Sequence, residues 1–93
     1  MTKADLAKIV AKEHALTQKE AVLIINAILD TITDSLVEGE KVELRGFGSF
    51  YSKTRAARVA RNPKTGEKVN VPEKRIPAFK ASKALKNKLT ETS

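Results

Sequence analysis

Arg45-Gly46-Phe47-Gly48-Ser49-Phe50 is the most informative segment of this 93-residue chain. Before it, residues 41–45 (KVELR) alternate polar and apolar side chains, which is typical of a half-buried strand. The two glycines allow a tight corner, and Phe47 and Phe50 supply apolar bulk beside it. After the corner we predict a second strand over residues 49–61. The segment therefore predicts antiparallel β-structure in the middle of the chain.

The next segment, Asn62-Pro63-Lys64-Thr65-Gly66, is dense in turn-forming residues. A third strand, about residues 67–76, would return antiparallel to the second. Pro72 and Pro77 lack a backbone N–H, so this strand is expected to lie at a sheet edge or to leave the sheet there. With about ten residues per strand at ~3.3 Å each, the hairpin would project as an arm of ~30 Å. An isolated two-stranded ribbon is marginal in water, so we expect the arm to stay mobile until a partner orders it.

Capping signals mark two helices before the strands. Thr2 with Asp5 three residues later predicts a helix over residues 3–14. The segment Thr17-Gln18-Lys19-Glu20 is a complete capping box, so a second helix should begin there and end near Gly39.

A short third helix should follow the strands. Ser82 is its predicted N-cap, and Leu85 and Leu89 would point inward. We expect the tail, residues 90–93, to fray.

The apolar residues of the second helix cover far more than one face, and the short first helix cannot bury them all. Small domains often bury such excess surface against another chain. We therefore predict one α+β domain, residues 1–93, in which residues 1–51 form a dimerisation body, 52–75 a β-arm, and 76–93 a return strand and helix. The predicted dimer core consists of Ile25, Ile28, Leu29, Ile32, Leu36, Leu44, Phe47, Phe50 and Phe79.

Charge divides the chain into two parts with different tasks. The whole chain has 18 Lys and Arg against 11 Asp and Glu, a net charge of +7. Residues 1–51 carry six bases and eight acids, whereas residues 52–93 carry twelve bases and three acids. So strong a basic balance predicts an anionic polymer as partner, contacted by the second half.

Several classes of function have little support. The chain has no Cys and one His, so no metal site and no cofactor are predicted. No catalytic triad or carboxylate pair stands out, so we do not expect an enzyme. No apolar run approaches the ~20 residues that span a bilayer, and the opening MTKADLAKIV does not resemble a signal peptide. An intracellular protein without a membrane partner is expected.

The arm supplies most candidate DNA-binding residues. Small alanines between its arginines let a groove approach the backbone, and basic two-stranded ribbons are known to enter DNA grooves. Strict alternation would place Arg55 and Arg58 on opposite faces, and a bulge or strong twist between them would bring both toward one partner. The arm candidates are Lys53, Arg55, Arg58, Arg61, Asn62, Pro63, Lys64, Lys68, Lys74 and Arg75.

A second set of candidates lies outside the arm, and each member has a plain structural alternative. The corner glycines could serve only the turn, or could offer backbone N–H groups to a phosphate. The lysines near the last helix could be ordinary surface residues, although a helix N-terminus favours phosphate. This set comprises Lys3, Arg45, Gly46, Gly48, Lys80, Ser82, Lys83 and Lys86.

These segments resemble a known family. Residues 45–50 are similar to the glycine–phenylalanine signature of the bacterial HU/IHF DNA-bending proteins, and Arg61-Asn62-Pro63-Lys64-Thr65-Gly66 is similar to their arm tip. Ile76-Pro77-Ala78-Phe79-Lys80 and Lys83-Ala84-Leu85-Lys86 resemble their closing segment. The resemblance covers nearly the whole chain in order. Ala60 departs from it, because a glycine often precedes the arm-tip arginine.

The resemblance implies an intertwined dimer with a helical base, a three-stranded antiparallel sheet in each chain, and two β-arms that follow the DNA minor groove. It also implies that Pro63 wedges between base pairs and kinks the duplex, the mechanism known for HU and IHF themselves. HU-like members bind double-stranded DNA with little sequence preference in the nucleoid of the cytoplasm. Because opening a base step costs free energy, we expect this protein to bind bent, nicked or gapped DNA better than intact duplex.

Two alternatives stay open. One is a site-specific IHF-like subunit, in a homodimer or in a heterodimer with a paralogue. The other is a basic protein that binds RNA or anionic lipid, although the acids of residues 1–51 disfavour lipid.

Overall fold

Three helices and five strands make up residues 1–92, the part of the chain described by the structure, a computed structural model. The elements are α1 (Lys3–Glu13), α2 (Gln18–Val37), β1 (Val42–Leu44), β2 (Gly48–Arg55), β3 (Arg58–Arg61), β4 (Lys68–Val71), β5 (Lys74–Ala81) and α3 (Lys83–Thr92). A three-stranded antiparallel sheet has the order β1-β2-β5, and β3 and β4 form a separate hairpin. The predicted α+β class, with three-stranded sheet and hairpin, is confirmed.

Both helical starts follow the predicted capping boxes. At α2 the Thr17 backbone N–H donates to the Glu20 carboxylate at 2.8 Å, and the Glu20 N–H donates to the Thr17 hydroxyl at 3.1 Å. The Thr17 backbone N–H, and after it the Thr17 side-chain hydroxyl, favour the ionised carboxylate of Glu20 and lower its pKa below the ordinary value of 4.5. Thr2 and Asp5 form the same reciprocal pair at α1.

The third helix begins as predicted and ends later. The Ser82 hydroxyl accepts the Leu85 backbone N–H at 3.1 Å, which is an N-cap contact. The helix then continues to Thr92, so the expected fraying of residues 90–92 was wrong. Ser93, the last residue of that predicted tail, lies outside the described residues.

The strands of the arm are interrupted rather than bulged. Pairing runs from Gly48↔Ala81 to Arg55↔Lys74 and resumes at Arg58↔Val71. Residues 56–57 and 72–73 lie unpaired between these ladders, two on each strand. Because the numbers are equal, no extra residue is inserted, and of the two alternatives considered the bulge is excluded. Pro72 has no N–H to continue the ladder.

The interruption changes the predicted strand limits. The return strand β5 starts at Lys74 and continues through Pro77 to Ala81 at the edge of the sheet. Its edge position agrees with Pro77, since a missing donor costs least there, and Pro72 lies where the chain leaves the ladder. The free hairpin is consequently shorter than predicted and comprises residues 58–71.

The apolar side chains of one chain remain largely uncovered. Only Ala7 and Ala21 are buried among the hydrophobic residues described, while Ile28 is 53% exposed and Phe47 is 47% exposed. The accessible surface is 7927 Å², against roughly 5,300 Å² for a compact protein of this mass. The radius of gyration is 18.9 Å, against about 12 Å for a compact domain of this length.

Phe79 joins the apolar residues around the corner. Its ring centroid lies 5.4 Å from that of Phe47 and 4.9 Å from that of Phe50. A Cβ on Gly48 would come within 2.6 Å of the Phe79 ring and of the Lys80 carbonyl oxygen. Glycine at position 48 is therefore required by packing.

Candidate nucleic-acid interface

Strand alternation separates the apolar and basic side chains of the three-stranded sheet. Phe50 pairs with Phe79 in the ladder, and β1 adds Val42 and Leu44 to the same face. This is the face that approaches α2. The opposite face carries the basic residues of both long strands except Arg75. We call it the basic face, and its cations are Lys53, Arg55, Lys74 and Lys80, all of them exposed.

Two rungs of the ladders bring like charges directly opposite each other. Arg55 faces Lys74 at the end of the β2–β5 ladder, and Arg61 faces Lys68 at the end of the β3–β4 ladder. Like charges in such pairs destabilise a free hairpin. None of the eight arm cations forms an ion pair within residues 1–92. The arrangement is suited to an external polyanion.

The interruption brings the two central arginines to one place. Arg55, Arg58 and Lys74 line the same groove, whose floor includes Ala56 and Pro72. The sequence-based expectation that both arginines meet one partner therefore has a structural basis. Between these arginines the ladder is broken at two residues on each strand, and no bulge is needed to bring them to one groove.

The arm tip is held by asparagine. The Asn62 N–H donates to the Glu67 carbonyl at 2.8 Å, and the Gly66 N–H donates to the Asn62 carbonyl at 2.7 Å. The Lys64 N–H donates to the Asn62 side-chain oxygen at 2.9 Å. None of these bonds uses an atom of the Pro63 side chain, and the Pro63 ring is exposed at the end of the hairpin.

A second basic concavity lies on the body, where the corner meets the start of α3. Gly46 adopts a φ of +83°, and the Ser82 N–H donates to the Phe47 carbonyl at 2.9 Å. This contact brings two separate predicted segments together. The lining includes the candidates Arg45, Gly46, Gly48, Lys80, Ser82 and Lys83.

The same concavity contains residues that sequence reasoning missed. Lys41 and Glu43 also line it, and their side chains form an ion pair at 3.1 Å. The alternation of residues 41–45 indicated a strand, but no local signal placed this strand beside α3. Lys86 is exposed on α3 and does not line the concavity.

Two predicted contact residues are engaged elsewhere. The Lys3 ammonium donates to the Asn26 side-chain oxygen of α2 at 2.9 Å. Arg75 lies on the face opposite the basic face, opposite Thr54 in the ladder, and its guanidinium donates to the carbonyls of Leu36 and Val37. Arg75 is thus separated from the other arm cations in the structure, and its contact with DNA stays a prediction.

Comparison with known proteins places the chain in a family. The family model described as bacterial DNA-binding protein matches residues 1–90. DNA-binding protein HU of Staphylococcus aureus is 49% identical over 87 residues, which cover 94% of this chain and 97% of the relative. The chain belongs to the HU family of bacterial DNA-binding proteins. HU of Geobacillus stearothermophilus is 46% identical over the same shares of both chains.

Solved structures of the HU family have the same fold. An Anabaena HU–DNA co-crystal structure superposes with a TM-score of 0.89 at 45% identity, over 96% of this chain and 97% of the other. HU from Thermotoga maritima gives a TM-score of 0.66 at 36% identity, over 96% and 98%. Across residues 1–92, no helix is both long and apolar enough to cross a membrane.

Proposed function

We propose that this protein is an architectural protein that binds double-stranded DNA with little sequence specificity, wraps it with its arms and bends it. The observation that carries the proposal is the set of arm cations without acidic partners, two pairs of which face each other across the ladders. Membership of a family of DNA-binding proteins, and the likeness to an HU–DNA complex, support the same partner.

Charge accounts for the low specificity. Each phosphate that a cation neutralises releases counterions, a contribution that is the same for every sequence. In the minor groove, base edges distinguish mainly A·T from G·C pairs. A hairpin of residues 58–71 that enters this groove gains affinity from Arg58 and Arg61 and reads little of the sequence.

Pro63 is proposed to insert between base pairs and kink the duplex, as HU and IHF are known to do. Its ring is exposed, rigid and apolar, so it enters a base step without leaving a polar atom unpaired. Because the turn is held by Asn62, the ring is free for this role. DNA that is already bent, nicked or gapped should bind better, since less deformation energy is required.

The bound protein is proposed to be an intertwined homodimer. The two chains would bury the exposed apolar residues of the predicted dimer core against each other, as bodies of this size often require. The excess of surface over a compact chain, roughly 2,600 Å², is partly arm and partly this uncovered face. A dimer supplies two arms, which can contact both sides of a bend.

The proposed site of action is the nucleoid in the cytoplasm, where the protein would compact and organise DNA without enzymatic activity or a cofactor. Its relatives are bacterial DNA-binding proteins. Binding energy alone would drive the bending, because the favourable interactions that form on wrapping offset the cost of deforming the duplex.

Titration of the protein into random-sequence duplex DNA at several salt concentrations tests the proposal. With about 6–10 phosphate contacts per dimer, affinity should fall by roughly 10³–10⁵ between 50 and 200 mM salt. Energy transfer between dyes on the duplex ends should show that the bound DNA is bent.

Matched titrations separate the alternatives. Double-stranded RNA and anionic vesicles are the controls at equal salt, and stronger binding to either would contradict the choice of partner. Competition between random DNA and sequences selected for binding tests specificity. An affinity for one site that is far higher than for random DNA would favour the IHF-like alternative, in a homodimer or in a heterodimer with a paralogue.

A further inference from the structure

Arg75 joins three separate segments through one side chain. Its Nη1 donates to the Val37 carbonyl at 3.3 Å, and its Nη2 donates to the Leu36 carbonyl and to the Ser52 hydroxyl, the latter at 3.3 Å. The guanidinium thereby connects β5, on which it lies, with β2 and with the end of α2. We call this set of contacts the Arg75 clamp.

The end of α2 is a favourable place for a cation. The final carbonyls of a helix have no intrahelical partner and carry partial negative charge. The last turn of α2 contains no basic residue of its own, and Asp34 and Glu38 add negative charge there. A planar guanidinium can bond two adjacent carbonyls at once, which an ammonium group cannot do in the same geometry.

The clamp lies at the root of the arm. Arg75 pairs with Thr54 in the second-last rung of the β2–β5 ladder. The last rung, Arg55↔Lys74, is followed by the unpaired residues 56–57 and 72–73. Beyond them, the hairpin of residues 58–71 is held by its own hydrogen bonds. Within residues 1–92, the clamp is therefore the last side-chain hydrogen bond to α2 before the break in the ladder.

We propose that Arg75 is a positioning residue that fixes the direction of the arm relative to α2 and so sets the DNA bend, without itself touching DNA. The inference deepens the proposed function and rests on it. Arg75 lies on the face opposite Lys74, so two neighbouring cations have separate tasks. Lys74 faces the polyanion, and Arg75 holds the strand that carries it.

The first test needs no DNA. Because the chain has no cysteine, spin labels can be placed on α2 and at the arm tip through Asp30→Cys and Lys64→Cys. Labelled chains are mixed with excess unlabelled chains, so that each dimer carries one labelled copy. Pulsed dipolar spectroscopy then reports the distance from body to tip. In the Arg75→Gln variant this distribution should broaden, and Arg75→Lys should restore it in part.

The second test compares the DNA bend with the number of phosphates bound. With Arg75→Gln, end-to-end energy transfer on a saturated duplex should show a smaller or more variable bend, while the slope of log K against log salt stays that of the parent. The matched control is Lys74→Gln, one residue away on the basic face. Its slope should decrease in magnitude by about 0.9 for each lost phosphate contact.

Two results would overturn the proposal. If Arg75→Gln reduces the salt slope as Lys74→Gln does, Arg75 contacts phosphate. If the distance distribution and the bend both match those of the parent, the clamp does not direct the arm. Thermal unfolding of Arg75→Gln shows whether its changed bend accompanies a folded protein, and Arg75→Lys, which keeps the charge, should restore the bend in part. If the parent protein does not bend DNA, the proposed function is wrong. The distances between the spin labels, measured without DNA, still decide whether the Arg75 clamp fixes the direction of the arm.

Discussion

Arg55 and Lys74 lie directly opposite each other in the last rung between β2 and β5, two positive charges on the same face of the sheet. No acidic side chain forms an ion pair with either of them within residues 1–92. Such a pair is unfavourable in the free protein and favourable when an anion lies across it. A substitution that removes the repulsion between Arg55 and Lys74 should therefore raise the stability of the free protein and lower its affinity for DNA.

Lys74→Glu tests this opposition. It converts the repulsive pair into an attractive one, which should raise the stability of the free protein by about 0.2–1 kcal/mol and weaken DNA binding. Thermal unfolding at low salt and DNA titration measure the two effects. Lys64→Glu, which makes the same change of charge in the tip turn, is the control. A Lys74→Glu protein that melts below the control would show that the rung is not repulsive.

Ile28→Asp tests the dimer. Ile28 is 53% exposed in one chain, so a monomer should fold with aspartate at this position. In a dimer it would bury an unpaired carboxylate, and we expect folding to be lost. Circular dichroism and light scattering at micromolar concentration are the measurements. Gln18→Asp, an equal change of charge at the exposed start of α2, should fold. A well-folded monomeric parent would refute the dimer.

Pro63→Ala tests the wedge. All charges and the hydrogen bonds of Asn62 are kept, so the salt slope should change little. The bend measured by end-to-end energy transfer should shrink, and the preference for nicked over intact DNA should weaken, because the ring that opens the base step is gone. Asn62→Ala is the control, since it loosens the turn and leaves the ring. Equal bending by Pro63→Ala and the parent would mean that charge and wrapping produce the kink.

The capping box of Glu20 should make the free energy of unfolding depend on pH. Its folded-state pKa is lowered, so the ionised carboxylate adds to stability above pH 4.5, and this contribution is lost as pH falls through the lower folded-state value. The free energy of unfolding of the parent should exceed that of Glu20→Gln at neutral pH, and the difference should shrink below pH 4.5. Chemical denaturation at several pH values measures it. A difference that is constant with pH would contradict the assignment.

Short-range features of the fold could be predicted from the sequence, because their partners are near in the chain. The two capping boxes join residues three apart, and the turn at Asn62 closes within five residues. Such bonds depend on local residue types and need no knowledge of the rest of the molecule. The spacing of apolar residues in the sequence likewise predicted that the apolar surface of α2 extends beyond one helix face.

Other features depended on how the strands pair. From its charge and position, Arg75 was predicted to be a DNA-binding residue of the arm. Its hydrogen-bond partners on α2 lie 38 and 39 residues earlier in the sequence, so local patterns could not reveal them. The side of the sheet on which a residue lies follows from its register, and a shift of one residue would have exchanged Arg75 with Lys74. The requirement for glycine at position 48 arises in the same way, from contact with Phe79 across the ladder.

The helices, the turns, the excess of positive charge in the second half and the resemblance to the HU/IHF family could all be predicted before the fold was known. These properties follow from residue types and short spacings. Three features required the folded chain: which cations share the basic face, where the arm separates from the sheet, and that Arg75 bonds to the end of α2. Those outcomes depend on strand register and on the packing of the sheet against α2, where residues distant in the chain are brought into contact.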